Sequence, residues 1–344
     1  MSFPRLKIAV SDCLRGTPCR YNGGHAQDDF VNQHLAQYAD FYPFCPEDAV
    51  MGSPRETIRL VGEEDDTHLP RTVVRGTKTH IDYTAPLHAY NHTKVAHLLT
   101  QNIDGAVVKA RSPSCGLERI KVYQPTGQWH GSKDPLVTGL FTQHLIEQAP
   151  HLAIEEENRL QDAWLREQFV LRVFTSARWR EFVSPASSES TASASSTLPA
   201  QPTVATFQAF HRDHKYLLLS KNQTLYKHMG ALVATTRAHN LTNSLESYQA
   251  CLFELLACSA SKGQVKNVLD HIYGYFKTQL SHDQKNHYHQ TSAEFVNGII
   301  PLIAVIKVLQ QFLTQYPSSY LVSQVFFNPY PADLALRSQV EAFR

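Results

Sequence analysis

Three short β-prone runs, Leu6–Val10, Phe41–Phe44 and Ala106–Val108, alternate with stretches of helical character in the first third of the chain, and a helix is predicted over His92–Gln101. Alternation of this kind predicts an α/β domain with a parallel, Rossmann-like sheet. After it the period changes. Leu160, Trp164, Leu165, Phe169, Val173 and Phe174 recur at helical spacing. Glu155-Glu156-Glu157 ahead of them suits the positive end of a helix dipole and reads as a helix start. Further on, Leu225, Met229, Leu232 and Val233, then Leu252, Leu255 and Leu256, then Val265, Val268, Leu269, Ile272 and Phe276 keep three- and four-residue intervals. Ser281 with Gln284 forms a capping box for another helix. The second half therefore reads as all-helical, without an internal repeat.

Between these halves, residues 184–202 consist almost wholly of Ser, Ala, Pro and Thr, a composition with nothing to bury and the character of a flexible tether. The expected organisation is an α/β domain over 1–150, a helical extension over 151–183, the linker 184–202, and an all-helical domain over 203–344. A length of 344 residues suits two cores. With 42% hydrophobic and 18% charged residues, the chain is neither disordered nor collagen-like. The longest apolar run, Gly298–Ile306, is half of what a bilayer crossing needs, so no membrane association is expected. Arg5 and Lys7 open directly into Ile8-Ala9-Val10 without a signal-peptide core, which points to the cytoplasm. The net charge of +1 hides an asymmetry: residues 1–183 carry 20 basic and 22 acidic side chains, residues 203–344 carry 12 and 8. A balance of +4 in the second half is a weak hint of a polyanionic partner, and with only four excess charges an ordinary solvated surface is the better reading of composition alone.

Six cysteines in a chain of this length without an export signal do not make a disulfide framework. Four of them follow the expected strands. Cys13 and Cys19 come after the first, Cys45 after the second in Phe44-Cys45-Pro46-Glu47, and Cys115 after the third in Lys109-Ala110-Arg111-Ser112-Pro113-Ser114-Cys115-Gly116. Loops at the carboxyl ends of parallel strands gather on one edge, so three distant loops are able to meet at one site. Structural zinc favours closely spaced cysteine pairs, and these spacings are long. An iron-sulfur cubane is large enough to be reached from separate loops. Buried free cysteines are the plain alternative.

The segments Cys13-Leu14-x-Gly16-x-x-Cys19-Arg20-Tyr21, Cys45-Pro46-Glu47 and Lys109-x-x-Ser112-Pro113-Ser114-Cys115-Gly116 resemble the thiouracil desulfidase family over about 150 residues. The resemblance implies a 4Fe-4S cluster with three cysteine ligands, one iron lacking a protein ligand, and hydrolytic, non-redox removal of sulfur from a thiolated pyrimidine. The remainder, with Phe210-His211-x-x-His214-Lys215-Tyr216 and Asn328-Pro329, looks like the helical domain often fused behind it. The two-domain arrangement resembles the long desulfidases that act on 4-thiouridine, including that in tRNA. Arg15 stands where the family commonly has an apolar residue.

On that resemblance the cluster ligands are Cys13, Cys45 and Cys115, one per loop, with Cys19 left as a structural thiol, a ligand or a sulfur handler. Glu47, two residues after a ligand, is placed to take a proton from the attacking water. By itself Pro46-Glu47-Asp48 reads equally as the first turn of a helix. Ser112 offers a hydroxyl to the ring or to a proton relay, where the plain alternative is a turn residue before Pro113. Arg20 and Lys109 are candidates for substrate binding, against surface ion pairs. Gly23-Gly24 reads as a turn, since no phosphate-loop fingerprint surrounds it. His211 and His214 read as a pair on a helix surface, and Cys251 and Cys258 as core packing. The implied substrate is 4-thiouridine, in tRNA or as a small thiolated pyrimidine, with salvage of free thiouracil or its nucleotide as the alternative. A non-catalytic iron-sulfur or zinc module that binds RNA or senses redox state is the rival of another class, and it needs neither Glu47 nor Ser112.

Overall fold

The computed structural model describes residues 3–64, 70–129, 131, 136–184, 201–334 and 336–343. The linker expected over 184–202 lies mainly outside them. In chain order the strands are β1 (Leu6–Ser11), β2 (Ala39–Phe44), β3 (Ile58–Glu64), β4 (Pro70–Gly76), β5 (Gly105–Val108), β6 (Ile120–Tyr123), β7 (Leu136–Val137) and β8 (Ala153–Glu156). The helices are α1 (Pro46–Met51), α2 (Thr84–Thr100), α3 (Leu140–Gln148), α4 (Ala163–Val183), α5 (Val204–Asp213), α6 (Lys215–Lys221), α7 (Gln223–Thr235), α8 (Leu241–Ala257), α9 (Lys262–Tyr273), α10 (His282–Val296), α11 (Leu302–Gln315) and α12 (Ser319–Val322). The chain packs as two units. One runs from Arg5 to Gln161, and the other holds the described residues from Asp162 onward together with Phe3 and Pro4.

The first unit is α/β. Its main sheet has the order β2-β1-β5-β8, and every pair in it is parallel. The chain leaves β1 for one neighbour and returns to β5 on the other side, so the carboxyl ends of these strands open a crevice where the connections diverge. All four β5 residues are buried, as expected of an inner parallel strand. Val95 and Leu98 of α2 with Phe141 and Leu145 of α3 pack on Ala9, Phe44, Ala106 and Val108. The rings of Phe44 and Phe141 stack at 4.1 Å, a contact worth about 1 kcal/mol beyond its burial. A second sheet, β4-β3-β6-β7, rests Ile58, Leu60, Val74, Ile120 and Val122 on Leu87 and Leu140, so the same two helices serve both sheets.

Three features of this unit differ from the sequence pattern. The helix expected over His92–Gln101 begins much earlier, at Thr84, and the second sheet was not anticipated. Glu155 and Glu156 do not start a helix; they lie in β8, the edge strand beside β5. Their charges find partners outside the strand: Glu155 accepts from Arg159 Nε at 2.6 Å and Glu156 from the Leu117 N–H at 2.9 Å. The helix starts after them, with Asp162 as its cap, accepting from the N–H groups of Trp164 and Leu165.

The second unit is helical among the described residues. Its boundaries follow local chemistry: Thr203, Asn222, Ser261, Ser281 and Ser318 each cap a following helix with the side chain, and Ser281–Gln284 makes the expected reciprocal box. α4 belongs here, burying Phe169, Val173, Phe174 and Trp179. His211 and His214 are not a surface pair. His214 is buried, its Nδ1 bonded to the Phe210 carbonyl at 2.8 Å, and His211 Nδ1 lies 3.0 Å from the Tyr248 hydroxyl with its ring stacked on Tyr226. Cys251 and Cys258 are half-buried rather than core residues. No described helix is long and apolar enough to cross a membrane.

Candidate active site

The site is built from the loops that follow β1, β2 and β5. Leaving β1, the chain makes a single tight turn, Asp12–Arg15, that buries Cys13. Gly16 ends it with φ +97, a conformation that a side chain disfavours. The Cys13 carbonyl is held by the N–H groups of Gly16 and Ala26 at 3.3 and 2.9 Å. Arg15 lies with its guanidinium over the Phe41 ring at 4.2 Å and bonds Asn32 Oδ1 at 2.7 Å, clamping the turn to its neighbours. Cys19 follows, 2% exposed, and Gly23 with φ +73 closes the turn back to Arg20.

After β2, Cys45 is the extended residue that caps α1. Its sulfur accepts the Asp48 N–H at 3.4 Å, and Pro46 occupies the first helical position. Glu47 is thereby in the first turn. In the third loop, Ser112 Oγ accepts the N–H groups of Ser114 and Cys115 at 3.3 and 3.1 Å, and Thr142 bonds the Cys115 carbonyl at 2.5 Å. A Cβ on Gly116 would come within 2.9 Å of the Ser112 carbonyl oxygen and 2.3 Å of Ile120, so the loop closes only with glycine there.

These loops enclose a cleft of about 540 Å³ lined by Cys13, Cys19, Cys45, Cys115, Glu47, Ser112, Arg20 and Lys109, with Arg55 and Arg111. Three of its thiols, Cys19, Cys45 and Cys115, are weakened as acids. Cys19 is pushed up to about 12, first by its hydrogen bond with the Cys13 thiol and then by burial, against a lowering contact from Cys45. Cys45 is driven well above the ordinary thiol range by its bond with Cys19 and by burial. Burial, then Cys45 and Glu47 nearby, pushes Cys115 up to about 12. Tyr90, packed against the Cys45 backbone, is raised to about 12, mainly by burial.

Glu47 is the polar centre. Its Oε1 accepts from Ser112 Oγ at 2.8 Å and from Ser114 Oγ at 2.6 Å, and its Oε2 from Arg55 Nη2 at 3.0 Å. Arg55 also donates through Nη1 to the Cys19 and Gly52 carbonyls at 3.0 and 2.8 Å, tying the first loop to α1. Ser112, with two N–H groups on its oxygen and its own hydrogen on Glu47, has no capacity left for a ring. Lys109 lines the cleft but is paired with Glu157, which also accepts the Ala110 N–H at 2.7 Å. Arg20 lies over the Tyr21 ring at 5.5 Å. Cys13, Cys19, Cys45, Cys115, Glu47 and Ser112 are thus brought together. Ser114, Arg55, Arg111 and Tyr90 are additions that sequence pattern alone does not single out, although Ser114 sits inside the quoted motif. Among the described residues, no three His, Cys, Asp or Glu side chains are grouped to hold a single metal ion.

Comparison with known proteins adds to this geometry. A family model described as 2-thiouracil desulfurase matches residues 8–157, and one described as a protein of unknown function (DUF1722) matches residues 215–331. Protein YbbK of Bacillus subtilis (strain 168) is 31% identical over 159 residues, which are 45% of this chain and 98% of its own. Protein YbgA of Escherichia coli (strain K12) is 26% identical over 129 residues, 37% of this chain and 76% of its own. A solved structure described as the [4Fe-4S]-dependent thiouracil desulfidase TudS is 28% identical, with a TM-score of 0.34, covering 45% of this chain and 93% of that one.

Proposed function

This chain belongs, through residues 8–157, to the 2-thiouracil desulfurase family, and on that premise we propose that its cleft desulfurates a thiolated uracil by hydrolysis, without net redox change, at a 4Fe-4S cluster. Cys13, Cys45 and Cys115 would hold the cluster and leave one iron without a protein ligand. The observation that carries the reading is the convergence of these thiols, one from each loop, on the cleft that also holds the Glu47 carboxylate. The donor set fits the group: Cys45 and Cys115, thiols made weaker acids by burial and by their neighbours, need a cationic centre to become thiolates, and iron is such a centre. When bound, the cluster would supply a Lewis-acidic, thiophilic iron for the sulfur of the thiocarbonyl.

The remaining chemistry belongs to the chain. Water attacks the thiocarbonyl carbon, and the balance is one water consumed and one hydrogen sulfide released for each carbonyl formed. Glu47 accepts the proton of that water as general base. Ser112 and Ser114 fix Oε1 and Arg55 fixes Oε2, so the carboxylate is oriented before substrate arrives. Ser112 acts through the carboxylate rather than on the ring, and Cys19 is a fourth sulfur within hydrogen-bond reach of two ligands.

The substrate we infer is 4-thiouridine in tRNA, giving uridine. The +4 balance of residues 203–344 and the size of the second unit support an RNA-docking role for it, as a free base needs only the cleft. Desulfuration of free 2- or 4-thiouracil or its nucleotides is the alternative. A non-catalytic zinc or iron-sulfur module has no use for a carboxylate held by three donors. Anaerobic reconstitution of the full chain, followed by assay on thiolated tRNA and on free thiouracil, tests the reading. The expected outcome is a brown protein with about four irons, active on tRNA, and colourless and inactive after Cys13→Ala, Cys45→Ala or Cys115→Ala. Full activity of a colourless zinc-loaded protein overturns it.

A further inference from the structure

Next to the cysteine cleft, and sharing Thr57, Ile58, Arg111 and Pro113 with it, lies a second cavity of about 690 Å³. Residues of β3 and β6 line it. Along β6, Ile120 and Val122 are buried, so the alternation of a strand turns Lys121 and Tyr123 the other way. Lys121 is exposed, its Nζ 4.0 Å from the centre of the Trp129 ring. Arg59, from β3, lies over the Tyr123 ring at 5.5 Å and donates to the Gly127 carbonyl at 3.3 Å, while its Nε has no hydrogen-bond partner. Arg111 is exposed and held in the left-handed region at φ +61, the kind of backbone strain that surrounding structure maintains at functional sites.

These three cations differ from the other basic residues at the cavity. Arg159 is engaged by Glu118 and Glu155, and Arg119 by Glu118. Arg59, Arg111 and Lys121 have no carboxylate partner among the described residues. Three uncompensated positive charges beside a binding cleft make a site for an anion, and guanidinium groups match phosphate oxygens in pairs. A pyrimidine base carries no charge for them to meet. A nucleotide does, and it also brings a ribose or a neighbouring base to lie on Tyr123 or Trp129.

We propose that the second cavity is the phosphate subsite of the substrate: with the thiolated base in the cysteine cleft, Arg59, Arg111 and Lys121 hold the phosphate of its nucleotide. The proposal rests on the desulfidase reading and extends it to the part of the substrate remote from sulfur. The phosphate is either the monoester of a free nucleotide or a diester of RNA, and the same side chains serve both.

The test uses the cluster-loaded full chain and products, which bind without turnover. Calorimetry at low salt compares uracil, uridine 5′-monophosphate and a uridine trinucleotide, for the wild type, Arg59→Gln, Lys121→Gln and the double variant, with Arg59→Lys as the charge-preserving control. The expected wild-type preference for a phosphate-bearing ligand over uracil is roughly tenfold or more. The double variant should lose most of that ratio, Arg59→Lys should keep part of it, and the ratio should shrink as salt rises. A larger gain for the trinucleotide identifies the source as RNA, and a larger gain for the monophosphate a free nucleotide. Equal binding of uracil and both phosphate ligands overturns the subsite, as does a double variant that folds with unchanged melting temperature and keeps the full preference. Wild-type desulfuration of thiolated tRNA and of free 4-thiouracil, measured alongside, judges the desulfidase reading separately: absence of both sinks that reading while the binding ratios still decide the subsite.

Discussion

Glu47 draws its hydrogen bonds from Arg55, Ser112 and Ser114, which lie 8, 65 and 67 positions along the chain. The three donors are not equivalent. Ser114 gives Glu47 a single bond, whereas Ser112 also gathers the N–H groups of Ser114 and Cys115 and so shapes the loop that presents Cys115. Glu47→Gln is therefore expected to keep the cluster absorbance and lose turnover by roughly a hundredfold or more. Ser114→Ala should cost less than Ser112→Ala, and only the Ser112 variant should also lose cluster on exposure to air. Steady-state rates read beside the visible spectrum separate these outcomes, and equal loss from both serines would remove the distinction drawn here.

At the scale of elements, the last turn and C-cap of α5 carry two histidines that resist protonation. Burial lowers His214 to about 3, helped by the Arg178 charge, and lowers His211 to about 4, helped by Lys215. The unfolded chain takes up these protons near the ordinary pKa of 6.5, before the folded chain does. The stability that neutral histidines contribute is then complete above pH 6.5 and is lost as pH falls through 4 toward 3, at up to about 1.4 kcal/mol per pH unit for each residue. Melting followed by tryptophan fluorescence should show the second unit weakening on acidification below pH 6.5. His211→Gln should flatten that slope, and an unchanged slope would show that His211 takes up its proton alike in the folded and the unfolded chain.

On the scale of the whole molecule, the packing boundary falls at Gln161, before α4 rather than after it. α4 buries its apolar face within the second unit: Trp179 stacks on Tyr248 at 5.1 Å and donates to Gln249 at 2.8 Å, and Glu167 accepts the Tyr330 hydroxyl. Cutting the chain after Val183 strands that face in water, with Phe169, Phe174 and Trp179 uncovered. A fragment ending at Gln161 is expected to stay monomeric on size-exclusion chromatography, while one ending at Val183 associates or precipitates. Equal behaviour of the two would mean that α4 is covered equally well by residues of the first unit.

The chain's own pattern determined the elements whose signals are local. Helix boundaries in the second unit follow capping residues such as Thr203, Ser261 and Ser281, because a cap is satisfied within one turn of itself. The cysteine loops were legible too, since each follows a hydrophobic run short enough to be a strand and parallel strands deliver their ends to one edge. Tertiary structure alone decided whatever depends on a partner far along the chain. Glu155 and Glu156 resemble a helix start until Arg159 and the Leu117 amide make a buried edge strand tolerable for acids. Arg55 has no motif around it, and only the fold carries its guanidinium to Glu47 and Cys19. His214 looks like a surface residue by spacing, and it is buried because Phe210, its neighbour one turn away, supplies both a carbonyl and a stacking ring at 4.0 Å. Periodicity records which face of an element is apolar, but the identity of what covers that face is written only in the packing.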